Sequence, residues 1–116
     1  MADVLALVDD LFFQAKLTET ARHVGVAVRV VSSGAALVQA AAAQAPALVL
    51  VDLNARQGAL EGLTQLCAAG QTQVVAFLSH VQTDLAAQAR AAGCQEVLPR
   101  SKFTADLAEI LRRAKT

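Results

Sequence analysis

The stretch Pro46-Ala47-Leu48-Val49-Leu50-Val51-Asp52-Leu53-Asn54 decides how this chain folds. Proline bars the alanine-rich helical segment before it from continuing. Leu48–Val51 is apolar without alternation, as in a strand buried on both faces of a parallel sheet. The run ends on a carboxylate, Asp52. A second such run, Val4–Val8, ends on two carboxylates, Asp9 and Asp10. In open α/β sheets, ligands bind beyond the carboxyl ends of the strands. Three carboxylates gathered at that edge repel one another unless a cation sits among them. The pattern points to an acidic pocket for a hard divalent metal, with one aspartate left to react.

Working outward, the chain alternates short apolar runs with helical periodicity. Phe13, Leu17, Ala21 and Val24 predict a helix over Leu11–Val24, stopped by Gly25. Val26–Val31 is a β-branched strand. Ser32-Ser33-Gly34 opens a helix that runs to about Gln44. After the Leu48–Asp52 strand, Leu63, Leu66 and Cys67 mark a third helix ending near Gly70. Val74–Leu78 is the fourth strand. Thr83 is the expected cap of a helix running through Ala92, and Gly93 ends it. Glu96–Leu98 is a short fifth strand. Thr104 is the expected cap of a last helix with the stripe Leu107, Ile110, Leu111 and Ala114. Five β/α repeats predict one α/β domain over residues 1–116: a doubly wound parallel sheet with helices on both faces.

Composition narrows the function. Ten basic residues balance ten acidic ones, so no bulk charge draws the chain to nucleic acid or an anionic membrane. Four phenylalanines and no tyrosine or tryptophan leave no stacking platform for single strands. No apolar run approaches a membrane span, and Met-Ala-Asp-Val lacks the basic start of a signal peptide. The expectation is a cytoplasmic protein. Cys67 and Cys94 read as two small buried thiols rather than a disulfide or zinc site. Arg112, Arg113 and Lys115 read as a solvated last turn that complements the helix dipole.

The strand ends together carry Asp9-Asp10, Asp52, Ser79 and the basic turn Pro99-Arg100-Ser101-Lys102. With Val8-Asp9-Asp10, Val49–Asn54, Phe77-Leu78-Ser79 and Ala91–Cys94 in this order, the whole chain resembles the receiver domain of bacterial two-component response regulators, the single-domain chemotaxis type included. The resemblance implies a flavodoxin-like (βα)5 sheet of order 2-1-3-4-5. It implies that Asp52 accepts a phosphoryl group from a histidine kinase or phosphotransfer protein and that Mg²⁺ is the cofactor. Asp10 matches the direct metal ligand and Asp9 the acid that holds metal-bound water. Asn54 matches the position that offers a backbone carbonyl, and Ser79 the switch hydroxyl. Such a protein is a phosphoacceptor, not a turnover enzyme, and signals through contacts with a downstream protein.

Four departures accompany the match. The family lysine after the fifth strand falls on Arg100 if the turn is counted without a gap, or on Lys102 with a one-residue insertion; the ungapped count favours Arg100. His80 stands where the family has a small residue. Val97 replaces an aromatic on the fifth strand. Ala55-Arg56-Gln57-Gly58 replaces a loop that commonly holds Met-Pro. These departures raise a second reading, a degenerate receiver that acts only as an interaction module. Singly, each site residue has a bland alternative: Asp9 or Asp10 as a helix cap, Asp52 as a strand end, Ser79 as a turn hydroxyl.

Overall fold

A computed structural model describes residues 3–55, 58–70, 72–79 and 82–115. The strands are β1 (Val4–Leu7), β2 (Val28–Val31), β3 (Leu48–Asp52), β4 (Gln73–Leu78) and β5 (Glu96–Pro99). The helices are α1 (Leu11–Val24), α2 (Gly34–Gln44), α3 (Ala59–Ala69), α4 (Thr83–Ala91), α5 (Arg100–Ala105) and α6 (Leu107–Arg112), with a 3₁₀ turn at Arg113–Lys115. All strand pairings are parallel, in the order β2-β1-β3-β4-β5. This is the doubly wound sheet expected from the repeats, in the flavodoxin-like order that the receiver resemblance implies.

Strand alternation divides the core into two layers. Leu5, Leu7, Val49, Val51, Val74, Ala76 and Leu78 join Leu37, Leu63 and Leu66 on the side of α2, α3 and α4. Val4, Ala6, Leu48, Leu50, Val75 and Phe77 join Phe13, Leu17, Phe103, Leu107, Ile110 and Leu111 on the side of α1, α5 and α6. A continuous apolar run thus serves two cores, one residue to each side in turn.

The helix ends follow their local chemistry. Ser33 caps α2 by accepting from the Ala36 amide at 3.1 Å. Gly25 ends α1 in the left-handed region, at φ 88°. Two expected caps are corrected. Thr83 is the first helical residue of α4, and Gln82 holds the cap position without a side-chain bond. Thr104 lies inside α5, because the helix begins four residues earlier, at Arg100. Pro99 explains this: it is the last residue of β5, its φ of −62° already suits a helix start, and it has no amide that needs a partner. What reads in sequence as a basic turn is therefore a strand end joined directly to a helix. Helical bonding continues past the break at Asp106, whose amide donates to Lys102 O at 3.0 Å and whose carbonyl accepts from Ile110 N at 2.9 Å.

The starts of α2 and α3 touch backbone to backbone. A Cβ on Gly34 would overlap the Gly58 carbonyl, and one on Gly62 would lie 2.9 Å from Gly34 Cα. Both positions are buried.

Candidate functional site: a buried carboxylate under an arginine

Asp52 ends the central strand β3, and it is the buried charged side chain of the described core, at 2% exposure. As the register partner of Phe77 it faces α1 and α5 rather than α2 and α3. Both carboxylate oxygens are engaged. Oδ1 accepts from the Asn54 amide at 2.9 Å, and Oδ2 accepts from the Arg100 guanidinium at 2.8 Å. A buried carboxylate needs such partners, since leaving it unpaired costs several kcal/mol.

Arg100 reaches Asp52 because α5 starts at residue 100. Its guanidinium lies 5.1 Å from the centroid of Phe77 and 5.4 Å from that of Phe13. Phe77 and Phe103 stack with centroids 4.0 Å apart, and Phe13 tilts against both. Three of the four phenylalanines therefore form an apolar bed beneath one charge. A planar, weakly hydrated guanidinium suits that position better than an ammonium. In the sequence Phe13 marks a helix face and Phe77 belongs to the Phe77-Leu78-Ser79 match; neither signals a site under a cation. The usable signal was a cation at the start of a helix whose fourth residue, Phe103, is aromatic.

Lys102 does not join this group. Its ammonium pairs with Asp106 at 2.9 Å, on the exposed side of α5. Arg100 lies on Asp52 and Lys102 pairs on the other side of α5.

Asn54 connects two loops. Its side-chain oxygen accepts from the Ser79 amide at 3.0 Å, and its side-chain nitrogen donates to the Gln82 side chain. The Ser79 carbonyl accepts from the Gln82 amide at 3.0 Å. Ser79 is half-buried at the end of β4, on the same sheet edge as Asp52. His80, Arg56 and Gln57 lie outside the described residues. Val97 is buried among the α2–α4 core, packed as an ordinary strand residue.

Asp10 caps α1, accepting from the Phe12 amide at 3.0 Å through Oδ1. Its carboxylate is exposed and Asp9 is half-buried. Among the described residues, no three carboxylate, imidazole or thiol groups are gathered as a metal site. The donor types suit a hard cation, with carboxylates from β1 and β3 and the Asn54 carbonyl. In this arrangement Asp10 caps α1, and Asp52 is bonded to an amide and a guanidinium.

No protein-family model matches the chain, and no curated protein matches it by sequence. Solved structures do match. The receiver domain of a sensor histidine kinase from Pseudomonas aeruginosa, described with magnesium in its active-site cleft, superposes with a TM-score of 0.81 at 20% identity, covering 99% of this chain and 98% of that one. A response regulator receiver domain from Clostridium thermocellum gives 0.81 at 18% identity, covering 98% and 94%. NtrX from Brucella abortus gives 0.77 at 20% identity; the match covers 98% of this chain but 27% of NtrX, and 99% of the NtrX receiver domain solved separately. The chain has the fold of response regulator receiver domains. No helix among the described residues is long and apolar enough to cross a membrane.

Proposed function

We propose that the chain is a receiver domain that accepts a phosphoryl group on Asp52 from a phosphohistidine of a histidine kinase or phosphotransfer protein. The observation that carries this reading is the placement of Asp52, a buried carboxylate at the carboxyl end of the central strand with a cation 2.8 Å away. In the reaction a carboxylate oxygen attacks phosphorus, the P–N bond breaks, and the electron pair returns to the imidazole. Arg100 offsets the negative charge that remains on the acceptor. Ser79 supplies a hydroxyl at the same edge, and Asn54 fixes the loop that carries the acceptor. Mg²⁺ would be held by Asp9, Asp10, Asp52 and the Asn54 carbonyl, and would supply further charge neutralisation. Since Asp10 caps α1, metal binding and capping compete for one carboxylate. Signalling then proceeds through contact with a downstream protein, and Asp52 acts as an acceptor rather than a turnover catalyst.

A second reading, a receiver retained only for protein contacts, is favoured by one observation: Arg100 already holds Asp52, and among the described residues no three metal-ligating side chains are gathered. Incubation with acetyl phosphate and Mg²⁺ separates the two. The phosphoacceptor reading expects an alkali- and hydroxylamine-labile adduct on the native protein and none on Asp52→Asn. No adduct from acetyl phosphate or a phosphorylated kinase domain supports the interaction-only reading.

A further inference from the structure

At the opposite edge of the sheet from Asp52, the structure brings together two cysteines that the sequence separates. Cys67 lies near the end of α3, and Cys94 in the turn between α4 and β5. Both line an open cavity of about 270 Å³ that is also bounded by Gly70, Val74, Gly93 and Glu96. Gly93 makes the approach possible: at φ +107° it has no side chain, and a Cβ there would lie 3.3 Å from Cys67 Cβ. Cys94 follows Gly93 directly in the chain, so the two thiols open onto one cavity from adjoining segments. Cys94 also donates to the Glu96 carbonyl at 3.2 Å. Neither cysteine is tied to the carboxylate site.

We propose that Cys67 and Cys94 are a reversible dithiol–disulfide pair, which under a peroxide oxidant links the end of α3 to the entry of β5. Cys67 is half-buried and Cys94 is buried, so Cys67 meets the oxidant first. Its thiolate attacks one peroxide oxygen, the O–O bond breaks, and water leaves as a sulfenic acid forms on Cys67. Cys94 then gives up its proton and attacks that sulfur. The S–S bond forms, the S–O bond breaks, and a second water leaves. The two thiols lose two electrons in all, and peroxide is reduced to water. A small thiol reverses the link by exchange. Burial raises both thiols above the ordinary cysteine range, so at neutral pH the thiolate is scarce and the link forms slowly.

The test is hydrogen peroxide treatment of the folded full chain, followed by alkylation of free thiols and peptide mapping without reductant. The expected product is a monomer that has lost both free thiols and two hydrogens, with the Cys67 and Cys94 peptides joined. Dithiothreitol should restore both thiols. Tm should rise by several degrees on oxidation and return on reduction, because the link restrains the unfolded chain. Cys67→Ser, at the less buried position, should remove the rise while leaving the reduced-state Tm close to that of the native protein. Cys94→Ser, if it folds, should leave Cys67 free to oxidise further, giving sulfinic acid. Disulfide-linked dimers, or sulfinic acid on Cys67 of the native chain with Cys94 still reduced, would overturn the proposal.

Discussion

Asp52 and Phe77 stand opposite one another across β3 and β4, and the guanidinium of Arg100 is seated on both, bonded to the carboxylate at 2.8 Å and lying 5.1 Å from the ring centroid. One strand register thus supplies an anion and an aromatic face to the same cation. The two partners are unequal in exposure, because the Asp52 side chain is 3% exposed and that of Arg100 is 34%. The inequality has a direct energetic consequence.

Arg100→Ala should destabilise the protein more than Asp52→Asn does. The first strands a carboxylate without water, whereas the second leaves a guanidinium that can turn to solvent. For a pair open on one side, we expect roughly 1–3 kcal/mol for Arg100→Ala, below the range for fully buried pairs. Arg100→Lys should fall between, since an ammonium keeps the charge but loses the planar contact with Phe13 and Phe77. Urea unfolding of the three variants reads the order directly, and an Asp52→Asn cost above that of Arg100→Ala would contradict it.

Lys102→Ala should change little. Its partner Asp106 is the next turn of an exposed helix surface, and such pairs contribute about 0.3–0.5 kcal/mol. If Arg100 alone serves the acceptor, phosphorylation by acetyl phosphate should survive Lys102→Ala and fall in Arg100→Ala. An equal loss in both variants would count against that assignment.

Asp10 offers a way to separate capping from metal binding. Asp10→Asn keeps an acceptor for the Phe12 amide, while Asp10→Ala removes it at about 1 kcal/mol. On the proposed metal role, millimolar Mg²⁺ should raise the Tm of the native protein and leave both variants unmoved. A native Tm indifferent to Mg²⁺ would instead assign Asp10 to capping alone.

Gly34→Ala should be among the most damaging single-methyl changes in the chain. The new Cβ would meet the Gly58 carbonyl, part of the backbone and unable to rotate away. Displacing α2 from α3 should cost on the order of 1–3 kcal/mol, as overpacked cores do. Gly70→Ala is a useful contrast, since the space around it is open and only its φ of +67° resists substitution.

Much of this architecture was legible in the residues. Period and punctuation place α1 and β3 at their observed bounds, and strand ends carry Asp52 and Ser79 to one edge. The parts that were not legible depend on contacts between distant segments. Pro99-Arg100-Ser101-Lys102 reads in sequence as a basic turn because a basic, proline-led stretch commonly is one; here it passes straight from strand to helix. The meeting of Cys67 with Cys94 depends on a missing side chain at Gly93, which only the folded backbone discloses. Asp10 satisfies the bland expectation of a cap and the sharper one of a ligand with the same atoms, so spacing alone could not choose between them.

The Asn54 contacts carry a mechanical implication. Its amide holds Asp52, while its side chain holds the backbone of Ser79 and the side chain of Gln82, the residue on which α4 begins. A single residue therefore connects Asp52 to the lead-in of a helix on the other face of the sheet. The Asn54 amide that holds Asp52 Oδ1 and the side chain that holds Ser79 and Gln82 belong to one residue, so the two sets of bonds share one anchor. The α4 start has no side-chain cap of its own to hold it in place. The molecule thus has a short lever between its most buried charge and one of its least anchored helix ends, with the fulcrum at position 54.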